Sequence, residues 1–132
     1  MATIDEDPLN FSPASLRSAE GKRYINQFLD AACDDSRRAI LELLIPPGGK
    51  GSPQEYELRS GDIAKKLGLA KSTTSEHLKQ LQKLRLVSAR REGNNIYYRL
   101  RNYHLVLAFH EMLKAIETHY RNTGALAEHP EA

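Results

Sequence analysis

Apolar residues recur along the chain with two periods, and the change from one to the other outlines the architecture. Ile25, Phe28, Leu29 and Ala32 lie at helical spacing. Ser12-Pro13 offers an N-cap followed by proline at the first helical position, which predicts a helix over about 13–33. Asp34-Asp35-Ser36 supplies capping groups for a second helix, "RRAILELL", whose Ile40, Leu41 and Leu44 share one face. Further on, "YELR" reads as a short strand, and Ser60 is placed to cap "GDIAKKL", with Asp62 in the first turn complementing the helix dipole. Gly68-Leu69-Ala70 interrupts. "KSTTSEHLKQLQKL" then puts Thr74, Leu78, Leu81 and Leu84 on one helical face. At that point the period drops to two: "LVSARR" and "NIYYRL" alternate, separated by Glu92-Gly93-Asn94-Asn95, which predicts a hairpin. A long final helix carries Leu105, Phe109, Met112, Leu113, Ile116 and Tyr120 as its stripe.

A short helix, a glycine-containing turn, a second helix and a basic hairpin make a winged helix-turn-helix. The expected class is mainly α (α+β), with N- and C-terminal dimerisation helices. Residues 1–12, acidic and without periodicity, read as a disordered tail. The domain is expected over 13–120, with a recognition helix at about 71–84, a wing at about 87–100 and dimerisation helices at about 13–33 and 103–120. Residues 121–132 read as a flexible C-terminal tail. The first and last helices both have apolar stripes, more than so small a domain can bury alone, which predicts a homodimer. The residues expected at that interface are Ile25, Phe28, Leu105, Phe109, Met112, Leu113 and Ile116.

Charge sharpens this picture. The net charge is only +2 over 132 residues. Between Arg59 and Arg101, however, eleven basic residues face three acidic ones, a local +8 that leaves −6 for the remainder. Such a segregated basic segment is the electrostatic footprint of a nucleic-acid partner. With Thr74, Leu78, Leu81 and Leu84 inward, Lys71, Ser72, Thr73, Ser75 and Lys79 fall on the outer side near the helix start. Small hydroxyls and lysines there suit a major groove about 12 Å wide. Arg90 and Arg91 lead into the hairpin, and Asn94 and Asn95 at its tip are expected to reach an adjacent minor groove or the backbone. These nine residues are the expected DNA contacts. The alternative function is a winged-helix interaction module that binds protein or RNA.

"CDDSRRAILELL", "GDIAKKLGLAKSTTSEHLKQLQKLRLVSARREGNNIYYRL" and the helix that follows resemble the ArsR/SmtB family of bacterial winged-helix repressors. The resemblance covers about residues 25–120, and its most specific parts are "TTSEHLKQL" and "RREGNNIYYRL". It implies a homodimer whose first and last helices pack together, which binds an operator dyad in double-stranded DNA and releases it when an effector binds; the single cysteine, Cys33, fits a reducing cytoplasm, and a cytoplasmic protein is expected. Two-fold symmetry would set the recognition helices about 34 Å apart, one turn of DNA. Two positions depart from the family pattern: Ala70 stands where a capping serine is usual, and Arg85 where glycine is usual. A left-handed backbone would strain Arg85.

Metal sensing is common among such relatives, but their ligand positions are poorly filled here. The thiolate pair would fall on Arg59 and Gly61, and the interhelical site of the last helix on Asn102, His104, Ala115 and Thr118, of which only His104 is a good ligand. His104, His110, Glu117 and His119 all lie on that helix and are expected at its surface. No metal or cofactor is therefore expected, and the effector has no signature. Cys33, the single cysteine, cannot form an intrachain disulfide and is expected as a buried filler at a helix end. His77 is expected to pack between its helix and the wing.

No enzyme is expected, because no nucleophile–base pair, carboxylate pair or metal centre has recognisable spacing. The one stretch that suggests otherwise is "IPPGGKGSPQEY", residues 45–56. A P-loop needs Gly-x-x-x-x-Gly-Lys-Ser/Thr after a strand. Here Leu44 stands where the first glycine belongs, Gly51 follows Lys50, and a helix precedes the stretch. It is expected instead as a mobile surface insertion whose Lys50 reaches DNA backbone or a partner. No apolar run approaches bilayer length, and the acidic N-terminus lacks the apolar core of a secretory signal.

Overall fold

The computed structural model describes residues 18–49 and 55–124. Five α-helices and a three-stranded antiparallel sheet make up this part: α1 (Ala19–Ala32), α2 (Asp35–Leu43), β1 (Leu58–Arg59), α3 (Ser60–Leu67), α4 (Lys71–Lys83), β2 (Val87–Glu92), β3 (Asn95–Leu100) and α5 (Tyr103–Thr123). The sheet order is β1-β3-β2. The tail expected over 1–12 lies outside the described residues, as do Lys50 and residues 125–132 of the tail expected over 121–132; the start of that tail is instead helical, because the last helix runs on to Thr123 and ends at the left-handed Gly124.

Local capping explains most boundaries. Ser18 is extended and its Oγ accepts from the Gly21 amide at 2.9 Å, so α1 begins at Ala19. The expected start at Ser12-Pro13 falls outside the described residues. Asp34 caps α2 by accepting from the Arg37 amide at 3.0 Å, and that bond holds its carboxyl below the usual range. Ser60 does not cap α3. It is the first helical residue, and Arg59 occupies the N-cap without a side-chain bond. Gly68, left-handed at φ 67°, ends α3, with Leu69 N–H donating to Ala64 O at 2.9 Å. That is a Schellman ending.

The helix α4 ends in the same way, but without glycine. Arg85 N–H donates to Gln82 O at 2.9 Å, Leu86 N–H donates to Leu81 O at 3.0 Å, and Arg85 sits at φ 60°. The wing turn is tighter than expected: Glu92 pairs with Asn95, leaving Gly93-Asn94 as a two-residue loop. Of these two loop residues only Gly93 has positive φ, at 63°, the pattern of a type II′ hairpin that follows strand twist.

The core joins all the helices to the sheet. Ile40, Leu41 and Leu44 of α2 and its C-terminal end meet Ile63, Leu78, Leu81, Leu86, Val87, Tyr98, Leu100 and Val106. Each such aliphatic side chain is worth about 1.5–3 kcal/mol of burial. Phe28 and Phe109, expected at a dimer interface, are instead buried against each other, edge to face with centroids 5.4 Å apart, and close the core between α1 and α5. Leu105 and Leu113 also pack on the core, partly buried. Val106, absent from the stripe read in the sequence, is completely buried. The 45–57 stretch is not a free decoration at its start, because Pro46 is buried and Ile45 packs on the core. A 3-10 turn over Pro47–Gly49 follows, with Gly48 at φ 68°.

Candidate nucleic-acid interface

Burial on one side of α4 dictates what the other side presents. Thr74, Leu78 and Leu81 are buried, so Lys71, Ser72, Thr73 and Lys79 are exposed and Ser75 is half-buried. Thr74 also turns its hydroxyl back onto Ala70 O at 2.9 Å, which satisfies a buried polar group within the helix. Ala70 gives the first turn no side-chain acceptor. The positive end of the α4 dipole is therefore left without a side-chain cap, with the exposed Lys71 at its first position.

Across from this end stands the wing tip. A concave cleft of about 520 Å³ separates them, lined by Arg59, Asp62, Lys65, Lys71, Asn94 and Asn95 among others. Arg59 is not a free cation in it. Its Nε lies 3.1 Å from Asp62 Oδ2, which lowers the Asp62 carboxyl and raises the guanidinium. Lys65 and Lys71 have no salt bridge among the described residues, so the cleft keeps a positive lining.

The two wing arginines separate. Arg90 pairs in register with Tyr97, and Arg91 with Ile96. Adjacent strand residues point to opposite faces. Arg91 shares its face with Tyr98, which is buried against the helices. Arg90 lies on the other face and is drawn onto carboxylates: its Nη2 is 2.7 Å from Glu57 Oε1 and its Nη1 2.6 Å from Glu92 Oε1. Its guanidinium also stands 4.6 Å from the Tyr97 ring centre. Arg90, one of the expected DNA contacts, is thus ion-paired on both sides, although its side chain stays 47% exposed. Arg91 is exposed and makes no salt bridge among the described residues.

The model of the bacterial regulatory proteins of the arsR family matches residues 54–89, from the approach to β1 into β2. The transcriptional repressor SdpR of Bacillus subtilis is 36% identical over 76 residues, 58% of this chain and 74% of its own length. The chain belongs to the ArsR family. This ArsR-family chain is also 37% identical over 71 residues to the nodulation protein NolR of Rhizobium meliloti, covering 54% of itself and about half (51%) of that relative. Its fold matches the solution structure of Mb0332 from Mycobacterium bovis, a homodimeric winged helix-turn-helix DNA-binding domain, with TM-score 0.59 at 27% identity over 80% of this chain and 93% of that one. The family is one of transcriptional regulators, and the winged helix is its DNA-binding fold.

In this ArsR-family chain the candidate sensor residues are dispersed. His110 Nδ1 lies 2.9 Å from Glu42 Oε2, tying α5 to α2 rather than facing solvent freely. Glu117 pairs with Arg121 at 3.4 Å, while His104 and His119 are exposed. Among the described residues no three His, Cys, Asp or Glu side chains group to hold a metal. Cys33 is exposed, not buried; it stands at the C-cap of α1, where its backbone N–H donates to Leu29 O at 2.9 Å. His77 faces the start of α2, with Nε2 3.9 Å from Asp34 Oδ2, rather than the wing.

Several residues that position the interface are not evident from the sequence. Tyr24 OH donates to Leu84 O, and Arg37 donates to both Ala31 O at 2.9 Å and Gln80 Oε1 at 2.6 Å. Together they fasten α1 and α2 to α4. Glu57 holds the wing in the same sense. The alternation of β2 is a usable signal for Arg90. The partners across the fold, Leu84 for Tyr24 and Gln80 for Arg37, are 60 and 43 residues away and leave no signal. Among the described residues no helix is long and apolar enough to cross a membrane.

Proposed function

We propose that this chain is a homodimeric repressor that binds an operator dyad in double-stranded DNA through α4 and the wing. The observation that carries it is the outward face of α4: Lys71, Ser72, Thr73 and Lys79 exposed beside a positively lined cleft that ends at the wing tip. In this reading Lys71, Lys79 and Arg91 meet phosphates, and Ser72, Thr73 and Ser75 meet base edges in the major groove. Asn94 and Asn95 reach the adjacent minor groove or backbone.

Dimerisation rests on an apolar surface too large to leave wet. Tyr24, Ile25 and Leu29 of α1 and Met112, Ile116 and Tyr120 of α5 are 37–55% exposed. A second copy related by two-fold symmetry would cover both helices and duplicate the reading head. Phe28 and Phe109 support that surface from beneath. The homodimeric state of Mb0332 agrees with this assembly. Cytoplasmic residence follows from the proposed partner, and repression is carried over from SdpR. Release by an effector belongs to the same reading, without the metal sites of relatives and with no residue assigned to it.

Selection of bound duplexes from a random pool tests the reading. The expected result is enrichment of an imperfect palindrome with half-sites about one helical turn apart. Recovery of unrelated sequences would end it, as would tighter binding to RNA than to the duplex.

A further inference from the structure

We propose that Glu57, Arg90 and Glu92 form a clamp that fixes the wing, so that Arg90 is a positioning residue while its neighbour Arg91 meets the DNA phosphate. The inference rests on the DNA-binding reading above and adds the division of labour between two adjacent arginines.

The register makes the division obligatory. Arg90 faces Tyr97 across the hairpin and Arg91 faces Ile96, so the two side chains leave opposite faces of a two-stranded ribbon. Only one of them shares the helix-facing side with Tyr98. The other, Arg90, finds a built receptor. Both Glu57 oxygens accept from its Nε, at 3.2 and 3.1 Å, and Oε1 accepts from Nη2 at 2.7 Å. Glu92 takes Nη1, and the Tyr97 ring lies against the guanidinium. A planar fork on a carboxylate and an aromatic face is geometry that arginine offers and lysine does not.

Glu57 is the less obvious half of the clamp. Its side chain is only 16% exposed, and it stands immediately before β1, the strand that pairs with β3. Arg99 on β3 also approaches it, to 4.0 Å. One carboxylate thus ties the segment entering the helix-turn-helix to both strands of the wing. The Arg90 guanidinium beside it holds the Glu57 carboxyl below its usual range, so the pair stays ionised at neutral pH. A wing held at its base keeps Asn94 at a fixed height above Lys71. It also withdraws one positive charge from the phosphate-facing set, which limits binding to unrelated DNA.

The salt dependence of binding to the selected duplex separates the roles, since every phosphate that is no longer neutralised lowers the log–log slope by about 0.9. Arg91→Ala should reduce the slope by about one. Arg90→Ala and Arg90→Lys should leave it unchanged while lowering the preference for the selected duplex over a random one. Glu57→Gln should do the same or steepen the slope, because it releases Arg90. Amide hydrogen exchange in the unbound full chain gives a readout independent of DNA: residues 88–99 should exchange faster in Glu57→Gln and Arg90→Lys than in the parent, and at parental rate in Arg91→Ala. A slope reduced by about one in Arg90→Ala, with parental binding by Arg90→Lys, would overturn the clamp. So would unchanged exchange in Glu57→Gln. Absence of salt-dependent duplex binding by the parent would instead remove the DNA reading and leave the clamp to be decided by exchange.

Discussion

Replacing Arg85 with glycine should stabilise the protein, although it removes a side chain and adds nothing. Arg85 occupies the left-handed position of the Schellman ending of α4, at φ 60°. Both bonds of that ending are formed, from Arg85 N–H to Gln82 O and from Leu86 N–H to Leu81 O. The apolar pair that accompanies such an ending, Leu81 and Leu86, is buried. The surroundings therefore hold the conformation, and the residue adapts to it. A side chain with Cβ costs roughly 1–2 kcal/mol in this region. Glycine avoids that cost but gives back about 0.5–1 kcal/mol through the freedom of its unfolded chain. The net gain expected for Arg85→Gly is about 0.5–1 kcal/mol, or about 2–5 °C in Tm for a domain of this size. Arg85→Ala is the control, because it removes the charge and keeps the strain. Urea unfolding at one fixed protomer concentration measures both, since a dimer's stability depends on concentration. Equal stabilisation by alanine and glycine would assign the effect to charge repulsion in the basic segment. A glycine variant no more stable than the parent would refute the strain argument.

Three other outcomes follow from the same geometry. Ala70→Ser should add a side-chain acceptor at the uncapped start of α4 and raise stability by about 1 kcal/mol in the same urea titration. Ile116→Asp, on the exposed half of α5, should yield a folded monomer by sedimentation equilibrium with unchanged far-ultraviolet circular dichroism; a persistent dimer would move the interface elsewhere. Asp34, Glu57 and Asp62 all have carboxyls held below the usual range, Asp34 chiefly by an amide and the other two by arginines. A depressed folded pKa gives stability that is complete above the unfolded value near 4 and is lost as pH falls through the folded one. Glu57→Gln should therefore flatten the acid limb of stability against pH, and an unchanged limb would deny that pair a role.

What can be read from the chain is mostly what periodicity and local chemistry control. The buried face of α4, the alternation of the wing and the Asp34 cap each depend on residues a few positions apart. Arg85 and Ala70 stand out because they break local rules, and both lie at helix ends where those rules apply. Ser60 misleads because a serine before a helix fits either the cap or the first helical position, and the backbone at Arg59 decides between them. Longer-range choices are not legible. Whether Phe28 and Phe109 serve the core or an interface depends on how α1 meets α5. The partners of Arg90 and His110, Glu57 and Glu42, become visible only once the elements are packed. Sequence charge counts Arg59, Arg90 and Arg91 alike, whereas pairing with Asp62, Glu57 and Glu92 leaves Arg91 as the one of the three without a salt bridge among the described residues.

If the outer face of α4 reads DNA with the wing beside it, the lysines of that face must neutralise phosphates. The most direct test is the salt dependence of binding to the selected duplex, compared between the parent and a variant with Lys71 and Lys79 both changed to alanine. A steep parental slope is expected, reduced by about two in the variant, with the fold retained. An unchanged slope in a folded variant would contradict it.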